Sequence, residues 1–242
     1  MLMVCVTTIS ACPFYRGFLS SPWILCVYKR LTYPRSLNVL LSFPPLVSFL
    51  WPLQVPLSCG SLLLYRPRYS LYSSFLDSVG RFFHATFSYN DVTFHVICLY
   101  APNQDPSRSD FFQFDTDHVD PGSPTIICGD FNSVFDRTRD RRGFAAAASP
   151  QDSPGALTTL FGDCCEVDSW RHLHPHTTAF TWLRPDGSFS SRISLVGCPI
   201  PWLHHVRVCD ILGILGAQKA LFLPSTLVGW REDTSKGPCH SF

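Results

Sequence analysis

Residues 126–132 read Ile126-Ile127-Cys128-Gly129-Asp130-Phe131-Asn132. The run follows the turn-like Asp120-Pro121-Gly122-Ser123-Pro124, so Thr125–Cys128 reads as a short, fully buried strand. Side chains alternate along a strand. Asp130 and Asn132 therefore point to one side, and Phe131 points to the other, towards packing. The end of a strand is where an α/β domain usually builds a site. There a carboxylate can hold or activate a water, and a carboxamide two residues on can donate to a phosphate. The same residues also suit a plain strand end closed by an Asx turn.

Upstream, Arg81–Phe87 and Val92–Tyr100 are rich in aromatic and branched residues, with Ser88-Tyr89-Asn90-Asp91 between them, and read as a hairpin. Leu62–Tyr65 is a short apolar run ended by Arg66-Pro67. The second strand of the hairpin closes in Leu99-Tyr100-Ala101-Pro102-Asn103. From that turn Tyr100 and Asn103 either reach a ligand or simply terminate the strand. Ser107–Val119, with Phe111, Phe112 and Phe114, reads as a helix. In the next helix Ser153 can cap and Pro154 can take the first helical position. Leu157, Leu160, Phe161 and Cys164 then line one face. Strands alternating with helices indicate an α/β domain.

Composition agrees. Of 242 residues, 46% are hydrophobic and 15% charged, which excludes a disordered chain or a coiled coil. Twenty prolines exclude a long helical bundle. Charge is unevenly spread: residues 1–76 hold six cations and no acid, and the remainder holds 13 cations against 18 acids. Eleven scattered cysteines, odd in number and without a Cys-x-x-Cys pair, read as reduced, buried side chains of an intracellular protein. Three parts result. Residues 1–58 form an apolar, proline-rich segment of unclear structure, 59–212 a domain, and 213–242 an irregular tail. Residues 36–65 carry no charge, and Val39–Leu57 is about one membrane span long, though Pro44, Pro45, Pro52 and Pro56 interrupt it.

Taken in order, the Leu-Tyr-Ala-Pro-Asn strand end, the helix and the Gly-Asp-Phe-Asn strand end resemble the endonuclease/exonuclease/phosphatase superfamily. The match is sharpened by Asp168-Ser169-Trp170-Arg171, His174-Pro175, Phe180-Thr181-Trp182 and Ser191-Arg192-Ile193. These follow in the order seen in endonuclease domains of LINE-type retrotransposons. Gly60–Pro67 resembles the family's Gly-initiated strand. The resemblance implies an incomplete two-sheet α/β sandwich of DNase-like fold, whose first strands and last catalytic strand are missing or replaced. It implies phosphodiester hydrolysis with Mg2+, a DNA partner and an intracellular, nuclear location. Membrane association through residues 36–65 is the alternative. It assigns Asp130 to preparing the attacking water and to binding metal weakly. Asn132 is assigned to the phosphate, and Tyr100, Asn103, Thr181, Ser191 and Arg192 to phosphate and nucleic-acid contacts.

The departures bear on activity. Where the family reads Ser-Arg-Ile-Asp, this chain has Ser194, and serine supplies no charge to steady a catalytic histidine. After Cys209-Asp210-Ile211-Leu212 the family's Ser-Asp-His does not follow. The family's metal-binding Glu has no counterpart in the acid-free residues 1–76. The chain is therefore expected to be truncated in function at both ends and inactive or nearly so, as a frame-shifted or mis-spliced copy would be. Two weaker features remain. Arg137, Arg139, Arg141 and Arg142 can track a nucleic-acid backbone or pair with Asp136 and Asp140. His172, His174 and His176, near Cys164 and Cys165, have metal-ligand chemistry, but Pro175 breaks the geometry.

Overall fold

The computed structural model describes residues 2–8, 24–29, 48–50, 60–65, 69–117, 122–143, 154–164, 166–206, 209–214 and 218–224. In chain order its strands are β1 (Leu2–Thr8), β2 (Ile24–Lys29), β3 (Ser48–Leu50), β4 (Gly60–Tyr65), β5 (Ser70–Leu76), β6 (Phe82–Tyr89) and β7 (Val92–Tyr100), followed by helix α1 (Ser107–Asp117) and β8 (Thr125–Asp130). The short α2 (Arg137–Asp140), β9 (Arg141–Gly143), α3 (Pro154–Asp163), β10 (Glu166–Asp168) and α4 (Ser169–Leu173) come next. The chain continues through β11 (Trp182–Leu183), β12 (Phe189–Ser191), β13 (Ser194–Pro199), β14 (Asp210–Ile214) and β15 (Gln218–Pro224).

One six-stranded sheet has the order β10-β13-β8-β7-β6-β5, a second has β14-β15-β1-β2-β4-β3, and a small sheet has β11-β12-β9. Within the first sheet β7 and β8 run parallel, with α1 in the crossover between them, as parallel strands require. The hairpin is made by a two-residue turn: Tyr89 pairs with Val92, and Asn90 and Asp91 take φ of 49° and 63°. Both types tolerate the left-handed region, and such a turn matches the twist of the flanking strands.

The pleat of the first sheet divides the core. Ile97, Leu99, Ile127, Phe131 and Leu195 point to one face, where Phe112 of α1 and Leu157, Leu160 and Phe161 of α3 cover them. Phe83, Ala85, Phe87, Phe94, Val96, Cys98, Cys128 and Val196 point to the other, the side on which β2 and β4 approach β7 and β8. The α/β two-sheet architecture is thus as the sequence indicates.

The second sheet is built from the outer strands. β1 and β2 pair with each other, β2 pairs with β4, and β15 runs parallel to β1. Residues 1–58 therefore include regular strands, and β15 lies where an irregular tail was expected. The physical reason is that Leu2–Thr8 is rich in β-branched residues and Ala220–Leu223 is an apolar run with an aromatic, and such runs pair through backbone whatever acids they lack. Most of the uncharged stretch 36–65 lies outside the described residues, and among these no helix is long and apolar enough to cross a membrane. Cys98 is disulfide-bonded, against the reading of the cysteines as reduced, whereas Cys128, Cys164, Cys198 and Cys209 are buried thiols.

Gly129 fixes the closeness of β7 to β8. A Cβ there would overlap Leu99 O and lie 2.9 Å from Leu99 C, both backbone atoms that cannot swing away. Gly129→Ala is predicted to cost more than about 3 kcal/mol or to prevent folding. Gly162→Ala, in α3 with nothing within 4 Å of the place a methyl would take, should gain about 0.5–1 kcal/mol. Urea unfolding of the two variants beside the parent chain checks both.

Candidate functional site

The parallel register of β7 and β8 sets Tyr100 beside Asp130, and the antiparallel register of β8 and β13 sets Asp130 beside Ser194. Asp130 is the last residue of its strand, and Ala101 N donates to its carbonyl at 2.8 Å. Beyond it the chain turns sharply: Asn132 takes φ 47° and its backbone N–H donates to Asp130 Oδ1 at 3.0 Å. This is the Asx turn of the plainer reading, and here it also fixes the carboxylate's direction.

Asn132 Nδ2 donates to Ala101 O at 2.7 Å and to Asn103 Oδ1 at 2.8 Å, which occupies both its protons. The carboxamide of Asn132 therefore orients that of Asn103. Asn103 itself is exposed, and its amide oxygen is held by that bond. The sequence reading assigned phosphate contacts to both Asn132 and Asn103, and of the two Asn103 is the exposed one.

A residue that sequence reading missed holds the two turns together. Arg108, at the start of α1 and 1% exposed, donates through Nη1 to Asn103 O at 3.2 Å and to Asn132 O. Its Nη2 donates to Asp105 Oδ2 at 2.9 Å. One buried guanidinium thus ties the end of β7 to the end of β8. The signal available in sequence was an Arg five residues after Asn103 in a helix opening, which alone reads as a solvated helix cation.

Asp130 is 5% exposed, and burial pushes its carboxyl up to about 7, against the pull of the Asn132 N–H. A carboxyl group in this range exchanges its proton near neutral pH, as a general base must.

Thr181, Ser191 and Arg192 lie elsewhere. Thr181 Oγ1 is buried and accepts from Ile193 N and Ser194 N, each at 3.0 Å. It pins the entry to β13. Ser191 is buried too, at the end of β12. Arg192 is fully buried, with Nε 2.8 Å from Asp140 Oδ1 and Nη2 2.7 Å from Asp168 Oδ2. Arg171 adds a bond to Asp140 Oδ1 at 2.6 Å, and both guanidiniums lie over the Trp170 ring. Burial opposes the charge of Arg192, but Asp168 and Asp140 outweigh it and hold it firmly protonated. Of the three side chains assigned to nucleic-acid contacts, Thr181 and Arg192 are thus bonded within the fold, while the buried Ser191 hydroxyl has no hydrogen-bond partner. Asp140, one of the acids the sequence offers as an ion-pair partner, anchors the two arginines.

The exposed cations nearby are Arg139 and Arg142, on α2 and β9, and Arg184. Arg184 pairs with Asp186 at 3.3 Å in the turn between β11 and β12. His174 Nε2 lies 3.0 Å from Cys209 O, and its ring packs on Trp170. Among the described residues no three His, Cys, Asp or Glu side chains are grouped to hold a metal.

Two acidic residues are predicted to act on stability with opposite sign. Asp130 binds its proton more tightly folded than unfolded, where its value is 3.8. Between pH about 4 and 7 the folded state therefore holds the extra proton, and stability falls as pH rises through that window, by about 4 kcal/mol at most. Asp130→Asn in metal-free buffer should stabilise the chain at pH 8 and have little effect at pH 4. Asp140→Ala should destabilise it by about 3–5 kcal/mol, since it strands buried cations. Thermal unfolding against pH reads both.

No protein-family model matches the chain. Over 146 residues, 57% of its length, it is 32% identical to the uncharacterized 149 kDa protein of transposon TX1 from Xenopus laevis. The match spans 11% of that protein. Its fold is similar to that of the Neisseria 3′ phosphatase NExo bound to product DNA hairpin, with TM-score 0.62, 14% identity and coverage of 90% of this chain and 96% of that one. The Xenopus laevis APE2 catalytic domain gives 0.61 at 14% identity, covering 93% and 92%. The endonuclease domain of TRAS1, a telomere-specific non-LTR retrotransposon, gives 0.53 at 11% identity, covering 76% and 81%. Two facing sheets, with a carboxylate and two carboxamides converging where β7 and β8 end, are thus the fold of the endonuclease/exonuclease/phosphatase superfamily, in a chain related by sequence to a transposon protein.

Proposed function

We propose that this chain is a nucleic-acid-binding form of a phosphodiester-hydrolase fold, of retrotransposon origin, in which hydrolysis is lost or nearly so. The observation that carries the reading is the row at the strand ends, where Asp130 stands between Tyr100 and Ser194 with the exposed Asn103 held by Asn132. Asn103 is suited to donate to a phosphate oxygen, and the Tyr100 ring borders the same position. Arg139 and Arg142 supply exposed positive charge for the flanking backbone. DNA is the partner favoured by the kinship with transposon and nuclease proteins.

Hydrolysis needs more than this. Asp130 has the proton affinity of a base, but the neighbour opposite it is Ser194, which cannot carry the charge that steadies an imidazolium. Members of a catalytic unit act together, so losing one costs nearly as much as losing several. Mg2+ takes one or two carboxylates together with waters and substrate phosphate. The strand-end row offers the single carboxylate of Asp130, which burial biases towards its neutral form. These residues do not by themselves fit the ion, and no step is drawn through it.

Incubation with supercoiled plasmid and Mg2+ tests the reading. The expected result is no nicking above background, with Asp130→Ala no different, while the chain still retards DNA in a gel. Nicking that Asp130→Ala abolishes would show that the chain is an active nuclease.

A further inference from the structure

Away from the strand-end row, the main sheet carries a pair of histidines on its helix-bearing side. His84 of β6 and His95 of β7 sit diagonally across the antiparallel register, in which Thr86 is opposite His95 and Ile97 is opposite His84. Alternation puts His84 and Thr86 on the side of Phe82, and His95 on the side of Ile97. Phe82 and Ile97 both belong to the core beneath the helices. The margin of this face next to β5 is open. Ser73 and Phe75 of β5, which pair with Thr86 and His84, are exposed, Phe75 by 44%. His84 and His95 are half-buried beside them, neither sealed in the core nor free in solvent.

The two rings meet nitrogen to nitrogen. His84 Nε2 lies 2.9 Å from His95 Nδ1, with ring centroids 4.9 Å apart and planes tilted by 56°. Thr86 Oγ1 lies 3.1 Å from the same His95 nitrogen, and it accepts from Ser73 Oγ at 3.0 Å. A neutral imidazole nitrogen offers one lone pair or one N–H, so His95 Nδ1 fully serves one of these two neighbours. What the pair supplies is two nitrogen ligands within reach of one ion. With metal–nitrogen bonds of about 2.0–2.1 Å, a separation of 2.9 Å corresponds to an N–metal–N angle of about 90°. A tetrahedral ion such as Zn2+ wants its nitrogens about 3.3 Å apart. A right angle belongs to square-planar and tetragonal ions, which with imidazole ligands means Ni2+ or Cu2+. Mg2+ prefers oxygen ligands and does not suit this pair.

We propose that His84 and His95 form a two-histidine site for a divalent transition-metal ion of tetragonal geometry, of the class of Ni2+ and Cu2+. The ion takes the place of the proton shared between the rings, and water fills its remaining positions. Thr86, held by Ser73, is close enough to His95 Nδ1 for its hydroxyl to bond a metal-bound water. The ion would tie β6 to β7 and so stabilise the folded chain by mass action. The proposal uses no residue of the strand-end row and stands apart from the nucleic-acid reading.

The test is a titration of the full chain with Ni2+ in chelator-free buffer, followed by the imidazole NMR signals and by the unfolding temperature. The expected result is that the signals of His84 and His95 shift or broaden together on one saturating curve. The unfolding temperature should rise over the same range and return on adding a chelator, and Mg2+ should do neither. His84→Gln and His95→Gln should each abolish the rise, because one imidazole leaves a single protein ligand. Changes confined to the exposed His172, His176 and His204, with His84 and His95 unmoved, would overturn the proposal. So would a rise that survives in a folded His84→Gln chain. If either variant fails to fold, the parent spectra decide: one shared curve for the two histidines supports the site, and separate curves or none refute it.

Discussion

The close parallel pairing of β7 with β8 is the constraint on which the rest depends. Leu99 O occupies the space where any side chain at position 129 would begin, so only glycine lets the two strands meet in this register. That register places Tyr100 at the level of Asp130 and lets Ala101 N bond the Asp130 carbonyl. From it follow the Asx turn, the left-handed Asn132 and the bond from Asn132 to Asn103. The buried Arg108 then locks the two turns from beneath. A site made of four short polar side chains is thus held by backbone geometry and one guanidinium, not by long flexible groups.

A second buried polar cluster does different work. Asp140, Asp168, Arg171 and Arg192 come from α2, β10, α4 and the residues before β13, and they close around Trp170. The cluster joins the small sheet to the end of the main one and so sets where Ser194 enters opposite Asp130. Its charges balance internally. Asp130 differs, because no cation among the described residues offsets its burial. Unbalanced burial costs stability and is a feature of sites rather than of scaffolds.

Much of this was legible in the sequence. The hairpin, both long helices, the buried strand and its terminal Asp130 and Asn132 follow from alternation, turn chemistry and apolar spacing, which act locally. The pairing of Tyr100 with Asp130 was reachable because two strands ending in polar turns were expected as neighbours. What could not be read was which polar group faces inward. Ser191 and Arg192 sit in a run that looks like a loop, and only the fold shows that Asp140 and Asp168, 52 and 24 residues away, neutralise the arginine. Arg108 was invisible for the same reason, since its partners are backbone carbonyls and a carboxylate that only the turn brings to it. Strands β1, β2 and β15 were not legible because short apolar runs carry no period that separates a strand from a helix or an irregular segment.

A nucleic-acid strand is proposed to lie across the open end of the main sheet, over Tyr100, Asn103 and Asn132. Amide and side-chain NMR shifts of the labelled chain, followed as a short DNA duplex is added, test this most directly. Saturating shifts are expected at those three residues, with the buried Arg192 unmoved. Shifts spread evenly over the exposed arginines, with none at Asn103, would contradict it.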